Sequence, residues 1–256
     1  GDPAVVATFP AAALMYRRGD LSAGEVVVRR QIALDDLFAL RAEDLTAEQA
    51  IEELRRSGQP AAAPANRTDF YRGRVLRRFS VEKSPAVLPP VVPKDGPIVS
   101  TTGQIQWDPV AGLLKVNAPN ARAAAGFLAA AGRIDLGDVS IRAGNEYASI
   151  VVVSLDGLPL DRSTRILVQA MTEDRPYGFK AEGGKITDLG GFPFGVRKVD
   201  VELSLGGPAP VRVLALDENG YSRPRSVPFD RRAGRTVFSL PADAAKDAHF
   251  CSMCGP

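Results

Sequence analysis

The residue types best suited to metal or redox chemistry lie together near the end of the sequence. His249, Cys251 and Cys254 fall within "AHFCSMCGP", and they are the one histidine and both cysteines among the 256 residues. A structural zinc site takes four ligands, usually from two spaced pairs, and the sequence holds no second Cys or His pair. We therefore expect no cofactor and a flexible tail over residues 242–256. A metal or cluster site shared between subunits and a redox Cys-x-x-Cys pair are the alternatives.

The same tail carries one resemblance to a known family. The string "LPADAAKDAHFCSMCGP" resembles the C-terminus of phosphomethylpyrimidine synthase, a radical enzyme of thiamine synthesis. In that family a third cysteine follows, and the cysteines hold an iron–sulfur cluster. The sequence here reaches Pro256 before a third cysteine, and such clusters generally take three or four thiolates. We therefore expect no cluster on these residues alone.

Composition and charge indicate an ordinary globular protein. The chain has 32 basic and 30 acidic residues, a net charge of +2, so no large electrostatic field attracts nucleic acid or anionic lipid. No apolar run approaches the roughly 20 residues that span a bilayer. We expect neither nucleic acid nor membrane as a partner. The basic segment "FYRGRVLRRF" is interpreted as the solvated face of a strand.

Residues 1–60 are predicted to be a mainly helical segment. A helix is expected from Asp2 to Arg18, with Gly19 ending it and Pro10 kinking or interrupting it. "GEVVVRRQIAL" follows as a strand or extended segment. A further helix is predicted from the capping box formed by Thr46 and Gln49.

A proline-rich stretch follows this segment. Residues 61–97 are predicted to be a proline-rich connector, because proline favours extended, solvated chain. Beyond it, residues 98–241 show short apolar strands separated by turn residues. The predicted strand segments are "GPIVSTTGQIQWD", "AGLLKVNAP", "RIDLGDVSIRAG", "YASIVVVSLDG", "STRILVQAMT", "RKVDVELSL", "PVRVLALDENG" and "RTVFSLP".

Alternation within these strands predicts the fold class. Val199, Val201, Leu203 and Leu205 fall on one face of their strand, and polar residues fall between them. With no long helix between the strands, we predict a mainly β chain, an antiparallel β-sandwich preceded by a short helical segment, α+β overall. The alanine-rich stretch "ARAAAGFLAAAGR" is the exception, and we expect a helical turn or a loop there.

The order of four segments resembles a second family. "GDPAVVATFPAAALMYRRGDL", "TGQIQWDPVAGLLKVNAP", "YASIVVVSLDGLPLDRSTRILVQAM" and "VLALDENG" resemble the C-terminal portion of certain bacterial glycoside hydrolases. In those proteins a catalytic TIM barrel is followed by a β-sandwich. The resemblance covers most of residues 1–241 and implies that residues 1–60 correspond to the end of a barrel. It also implies a secreted or periplasmic location and a catalytic TIM-barrel domain as partner.

The function implied by this resemblance is non-catalytic. We expect the C-terminal region of a polysaccharide-acting hydrolase, which supports the barrel or binds carbohydrate. The alternative is a structural or interaction β-sandwich with no carbohydrate role. Glycosidases use two carboxyl groups roughly 5–10 Å apart, and no acidic residue here lies in a context that matches such a pair. Asp156 and Asp217 sit at strand ends, where we expect them to make turns.

Aromatic residues are the candidates for carbohydrate binding. Four of them, Tyr177, Phe179, Phe192 and Phe194, fall in the glycine-rich stretch "DRPYGFKAEGGKITDLGGFPFG", which is predicted to be a long loop. Trp107 is the fifth candidate, although it shares a strand face with Ile105 and is interpreted mainly as core. The competing interpretation is that the loop rings pin the loop to the sandwich.

The N-terminal helix is predicted to need a partner. Apolar side chains lie on nearly every side of it, including Val5, Phe9 and Leu14. An apolar surface of this kind seeks another surface. We therefore expect self-association through residues 1–18 unless a barrel covers them.

Overall fold

The computed structural model describes residues 8–39, 69–81, 96–217, 220–240 and 250–254. The chain divides into two compact units. The sandwich unit comprises Gly1–Leu21 and Trp107–Pro256, and the smaller unit comprises Ser22–Gln106. The domain boundaries expected from composition stay predictions.

The described elements are mostly strands. In chain order they are α1 (Phe9–Arg18), β1 (Val26–Ala33), α2 (Leu34–Phe38), α3 (Asp69–Arg72), β2 (Arg74–Ser80), β3 (Ile98–Val99), β4 (Ile105–Asp108), β5 (Leu113–Ala118), β6 (Ala121–Gly126), α4 (Leu128–Ala131), β7 (Arg133–Leu136), β8 (Val139–Ala143), β9 (Ala148–Ser154), β10 (Arg165–Thr172), β11 (Asp174–Tyr177), β12 (Lys180–Glu182), β13 (Lys185–Asp188), β14 (Gly191–Val196), β15 (Val201–Leu205), β16 (Arg212–Leu216), β17 (Ser222–Ser226), β18 (Asp230–Arg232), β19 (Arg235–Ser239) and β20 (Phe250–Cys254). None of these helices is long and apolar enough to cross a membrane.

In the smaller unit, β1 and β2 pair as a parallel two-stranded sheet. The Arg74 Nε donates to the Gly24 carbonyl at 2.7 Å, and the Glu25 N–H donates to the Thr101 hydroxyl at 2.9 Å. The basic segment begins in α3 and continues as β2, on which Arg77 and Arg78 are exposed. This agrees with the interpretation of a solvated strand face.

In the sandwich unit, two antiparallel sheets face each other. One has the order β17-β16-β20-β10-β9-β6-β5, and the other has the order β18-β19-β15-β8-β7. A single apolar cluster takes side chains from both, including Ile150 and Val168 from the first and Ile141 and Leu203 from the second. Burial between two sheets defines a sandwich, so the predicted fold class is confirmed.

The alternation predicted for β15 is present in the structure. Val199, Val201, Leu203 and Leu205 are each at most 2% exposed. Asp200 and Glu202 between them are exposed. The period of two therefore identified the buried face correctly.

The centre of strand β9, residues 150–153, is apolar on successive positions because both faces of the strand are covered. Ile150 and Val152 belong to the cluster between the sheets, whereas Val151 and Val153 belong to a second cluster on the outer face. Helix α1 supplies Ala11 to this second cluster, and Ala11 is fully buried. The helix therefore forms a third layer over one sheet.

Polar contacts also attach α1 to the sheet. The Ala11 N–H donates to Gln169 Oε1 at 2.7 Å, and Gln169 is 2% exposed. Arg18 donates to the Ser154 carbonyl at 2.6 Å and forms an ion pair with Asp20. Asn120 in turn donates to Asp20 at 3.1 Å.

These contacts revise the expectation of an uncovered helix. Ala11 is buried, and Leu14 and Met15 pack against the sheet, while Phe9 and Tyr16 remain exposed. The helix ends at Gly19 with φ of 68°, as predicted, and Pro10 lies in its first turn. Ala4, Val5 and Val6 lie outside the described residues. Self-association through residues 1–18 stays a prediction.

The alanine-rich stretch differs from the expected helical turn or loop. Its first half is β6, an inner strand between β5 and β9, and α4 follows as a single turn. Small side chains suit this place because α1 lies over it, with Ala121 and Ala123 packed in the same cluster as Ala11. At Gly126, a Cβ atom would lie 1.8 Å from the Gly112 carbonyl oxygen, so the hairpin needs glycine here.

The end of the chain also differs from the expectation. Where we predicted a flexible tail, Phe250–Cys254 form β20, which pairs antiparallel with β10 on one side and β16 on the other. An extended segment in this place satisfies the backbone N–H and C=O groups of both neighbours. The predicted capping box at Thr46 and Gln49, and most of the predicted connector over 61–97, lie outside the described residues.

Candidate functional site

The four aromatic residues predicted in a loop lie on a two-part β structure, which we call the aromatic arm (Glu173–Arg197). Its proximal hairpin pairs β11 with β14, and its distal hairpin pairs β12 with β13. Gly183 and Gly184 join β12 to β13, and both have positive φ. A two-residue turn of this kind matches the twist of the strands it joins.

Charged contacts hold the base of the arm. Glu173 lies 3.3 Å from an Arg175 guanidinium nitrogen and 3.0 Å from Arg197 Nε. The Arg197 N–H donates to the Glu173 carbonyl at 2.9 Å, and the Thr172 hydroxyl donates to the Arg197 carbonyl. The arm therefore leaves the sandwich from a fixed base.

Phe179 belongs to the framework of the arm. The Arg175 guanidinium carbon lies 5.4 Å from the centroid of the Phe179 ring, a cation–π contact, and this ring is half-buried. Gly190 lies beside it, and a Cβ atom there would come within 2.4 Å of the Tyr177 carbonyl oxygen. The cation–π contact of Phe179 lies within the arm, so the interpretation that the rings pin the loop to the sandwich stays a prediction.

The other three rings face solvent. Tyr177 is 76% exposed, Phe192 is 88% exposed and Phe194 is 40% exposed. Phe192 and Phe194 meet edge to face with ring centroids 5.0 Å apart, and a cis peptide bond joins Phe192 to Pro193. Tyr177 pairs with Gly191, the neighbour of Phe192. The arm therefore brings these three rings into one short stretch of its proximal hairpin.

Trp107 does not belong to this group. It lies on β4 and is half-buried. The interpretation of Trp107 as mainly core stays a prediction, since Trp107 is not among the residues of the two apolar clusters described above. Tyr177, Phe192 and Phe194 are thus the site residues that the structure brings together.

The backbone of β20 keeps the two cysteines too far apart for a disulfide between them. Among the residues that the structure describes, no group of three His, Cys, Asp or Glu side chains could hold a metal ion. Cys251 and Cys254 are three positions apart in strand β20, which separates their Cα atoms by about 10 Å. A disulfide needs Cα atoms closer than about 7 Å. His249 lies outside the described residues.

The acidic residues at strand ends make turns, as predicted. Asp217 accepts a hydrogen bond from the Tyr221 N–H at 2.9 Å. Asp156 accepts hydrogen bonds from the Ser163 hydroxyl at 2.8 Å and the Thr164 N–H at 2.9 Å. Burial raises the pKa of Asp156, but these bonds and one from Leu158 outweigh it and hold the pKa below its ordinary value.

A second carboxyl group is also held ionised. Hydrogen bonds from Ser140 and Arg133 lower the pKa of Asp135. A glycosidase general acid needs the opposite, a pKa raised toward neutrality. Asp135 and Asp156 therefore lack the environment of a glycosidase general acid.

Sequence reasoning found the rings of the arm but missed its β structure. The distal hairpin carries a recognisable signal, since Gly183-Gly184 lies between two short polar segments. The proximal hairpin lacks the usual periodic signal, because β14 is exposed over nearly its whole length. Comparison with protein-family models, with curated proteins and with solved structures finds no match to this chain.

The arrangement on the arm offers surface for binding. Exposed aromatic faces on a fixed scaffold offer apolar area to a flat partner. The residues beside them include glycines and charged side chains such as Glu182 and Asp188, and Ile186 and Leu189 are exposed on the distal part.

Proposed function

We propose that this chain is a non-catalytic accessory region of a polysaccharide-acting glycoside hydrolase, which holds carbohydrate on its aromatic arm. The observation that carries the proposal is the exposure of Tyr177 and Phe192 on the proximal hairpin of the arm, where the Phe192 ring also meets Phe194 edge to face. A pyranose ring has an apolar face of C–H groups, and such a face stacks on an aromatic ring. The resemblance in segment order to glycoside hydrolases supports the same assignment.

Energetics favour exposed rings as binding residues. Full burial of a phenylalanine side chain contributes about 1.5–3 kcal/mol. Phe192 contributes little of this to folding, since it is 88% exposed. A ligand that covers the ring would therefore gain apolar contact that the folded chain leaves unused.

A supporting role toward a catalytic domain is the second candidate. Ile186 and Leu189 on the arm are 58% and 72% exposed, and aliphatic side chains suit a protein surface better than a sugar. Packing of α1 on the sandwich removes one argument for this role, because the described part of the helix already has a partner.

Retention on insoluble polysaccharide tests the proposal. Tyr177→Ala and Phe192→Ala should each reduce retention on cellulose, xylan, chitin or agarose beads, whichever retains the unaltered chain. Ile186→Ala is the matched control on the same arm, and it should leave retention unchanged. Melting temperatures of all variants should stay close together, since these side chains are exposed.

The two candidates separate clearly in this experiment. Loss of retention in the two aromatic variants, with Ile186→Ala unaffected, supports carbohydrate binding. An unaltered chain that passes through every polysaccharide column contradicts it. Binding to a separately expressed barrel domain that Ile186→Ala weakens would favour the supporting role.

A further inference from the structure

A polar cleft of about 580 Å³ opens at one end of the sandwich unit. The end of β5 contributes Asn117, the turn after it contributes Pro119, and the loop between β9 and β10 contributes Asp161 and Arg162. The turn between β7 and β8 contributes Asp138. This volume lies within the range of about 300–1,000 Å³ found for small-molecule sites.

A buried ion pair lines the cleft. Arg122 from β6 lies 2.8 Å from Asp138, and their side chains are only 12% and 14% exposed. The Arg122 guanidinium also donates to the carbonyls of Leu136 at 2.8 Å and Ala121 at 3.2 Å. A guanidinium carries five N–H groups, so two remain beyond these three contacts. Both side chains are partly exposed, so the polar groups of this pair are within reach of a ligand in the cleft.

The walls of the cleft are held in place before any ligand arrives. Leu160 N–H donates to the Pro119 carbonyl at 2.9 Å, which joins the loop to the turn after β5. Asp156 accepts hydrogen bonds from Ser163 and Thr164 within the same loop. On the opposite wall, Arg235 donates to the Asp138 carbonyl at 3.0 Å. Preorganised walls lower the entropic cost of binding.

The charges that line the cleft balance. Arg122 and Arg162 supply two positive groups, and Asp138 and Asp161 supply two negative groups. An anion would meet two carboxylates, and a cation would meet two guanidinium groups. A neutral ligand with many hydroxyl groups avoids both penalties, since each hydroxyl can donate to a carboxylate and accept from a guanidinium.

We propose that this cleft binds a neutral, hydroxyl-rich ligand of the sugar class, with Asp138 and Arg122 at its floor and Asp161 and Arg162 at its rim. Asn117 adds an amide that donates and accepts, and the Pro119 ring offers an apolar face to sugar C–H groups. The site is separate from the aromatic arm and stands whether or not the arm binds carbohydrate.

Nuclear magnetic resonance titration of the full chain tests this site. The probes are cellobiose, xylobiose and maltose, with sodium galacturonate and inorganic phosphate as charged comparators. A neutral disaccharide should produce saturable amide shifts at residues 117–122, 138 and 157–163. Asp161→Asn and Arg162→Ala should each weaken binding about tenfold, the effect of losing a hydrogen bond to a charged group.

Asp230 and Arg232 provide a matched control. Their side chains form an exposed pair, 65% and 66% accessible, much like the 63% and 70% of Asp161 and Arg162. Asp230→Asn and Arg232→Ala should leave the titration unchanged, as should the double variant Tyr177→Ala, Phe192→Ala. If none of the neutral sugars gives saturable shifts, the proposal is overturned. Binding of the anionic probes alone, or shifts confined to the arm, overturns it as well.

Discussion

Strand β9 in the sandwich and strand β14 in the aromatic arm have similar lengths, seven and six residues, but opposite surroundings. Six residues of β9 are buried, whereas five residues of β14 are exposed. Both pair with antiparallel partners, β9 in regular register and β14 with a register shift opposite Pro176 and Tyr177. The difference between them lies in what covers their side chains.

Under the proposed function, this difference separates the residues that stabilise the fold from those that bind a ligand. Residues of β9 pack against a second sheet on one face and against α1 on the other. On the arm, most of the aromatic rings are exposed to solvent, and charged contacts at Glu173 hold the base of the arm. Substitutions in the body should therefore change the free energy of unfolding, and substitutions on the arm should change binding.

The largest effect is expected at the centre of the sandwich. Ile150 is fully buried between the two sheets, so Ile150→Ala should lower the free energy of unfolding by about 2–5 kcal/mol through lost burial and a new cavity. Urea denaturation measures this change. Ile186→Ala on the arm removes the same atoms from an exposed side chain, and a similar loss there would contradict the comparison.

A smaller loss is expected where α1 meets the sheet. Ala11→Leu should destabilise the chain by about 1–3 kcal/mol, because Ala11 is fully buried and extra atoms must displace the helix or the strands. Ala12→Leu, one position along on an exposed part of the same helix, is the control. Equal midpoints for the two variants in thermal denaturation would mean that the helix does not pack as described.

Asp156 should give a modest effect that depends on pH. Its pKa is held below the ordinary value of 3.8 in the folded chain, so its stabilisation is present above that value and is lost as the pH falls through the folded pKa. Asp156→Asn should lower stability at about pH 7 and have little effect at about pH 2.5. Asp161→Asn on the same loop serves as control. If the stability difference between Asp156→Asn and the unaltered chain were the same at both pH values, the assignment would be contradicted.

The smallest change in stability is expected at Phe192. Phe192→Ala should shift the free energy of unfolding by less than about 0.5 kcal/mol, since the ring is 88% exposed. Differential scanning calorimetry gives the value. A large loss would place the ring in the framework of the arm, together with Phe179.

Sequence reasoning predicted the parts of the fold whose burial has a simple period. Leu203 and its neighbours alternate with polar residues, so the buried face of β15 was identified from the pattern. Strand β6 was missed because alanine is compatible with helix, strand or loop, and its place is decided by Ala11 above it.

The features of the sites also differ in how far the sequence predicts them. Tyr177 and Phe192 could be selected from residue type alone, because an aromatic residue is visible in the sequence whether or not the fold exposes it. Long-range contacts decide the rest: nothing near Arg122 in sequence indicates Asp138, which approaches it from the other sheet. Strand β20 likewise depends on two distant strands.

The attachment of α1 gives the sandwich a region that can open by itself. Helix and sheet meet through one small apolar cluster, the Ala11–Gln169 hydrogen bond and the contacts of Arg18. Detaching the helix would break these contacts and leave the cluster between the two sheets intact. Such local openings cost less free energy than global unfolding. Amide protons of α1 should therefore exchange with solvent sooner than those of β9, which remain protected until the whole sandwich unfolds.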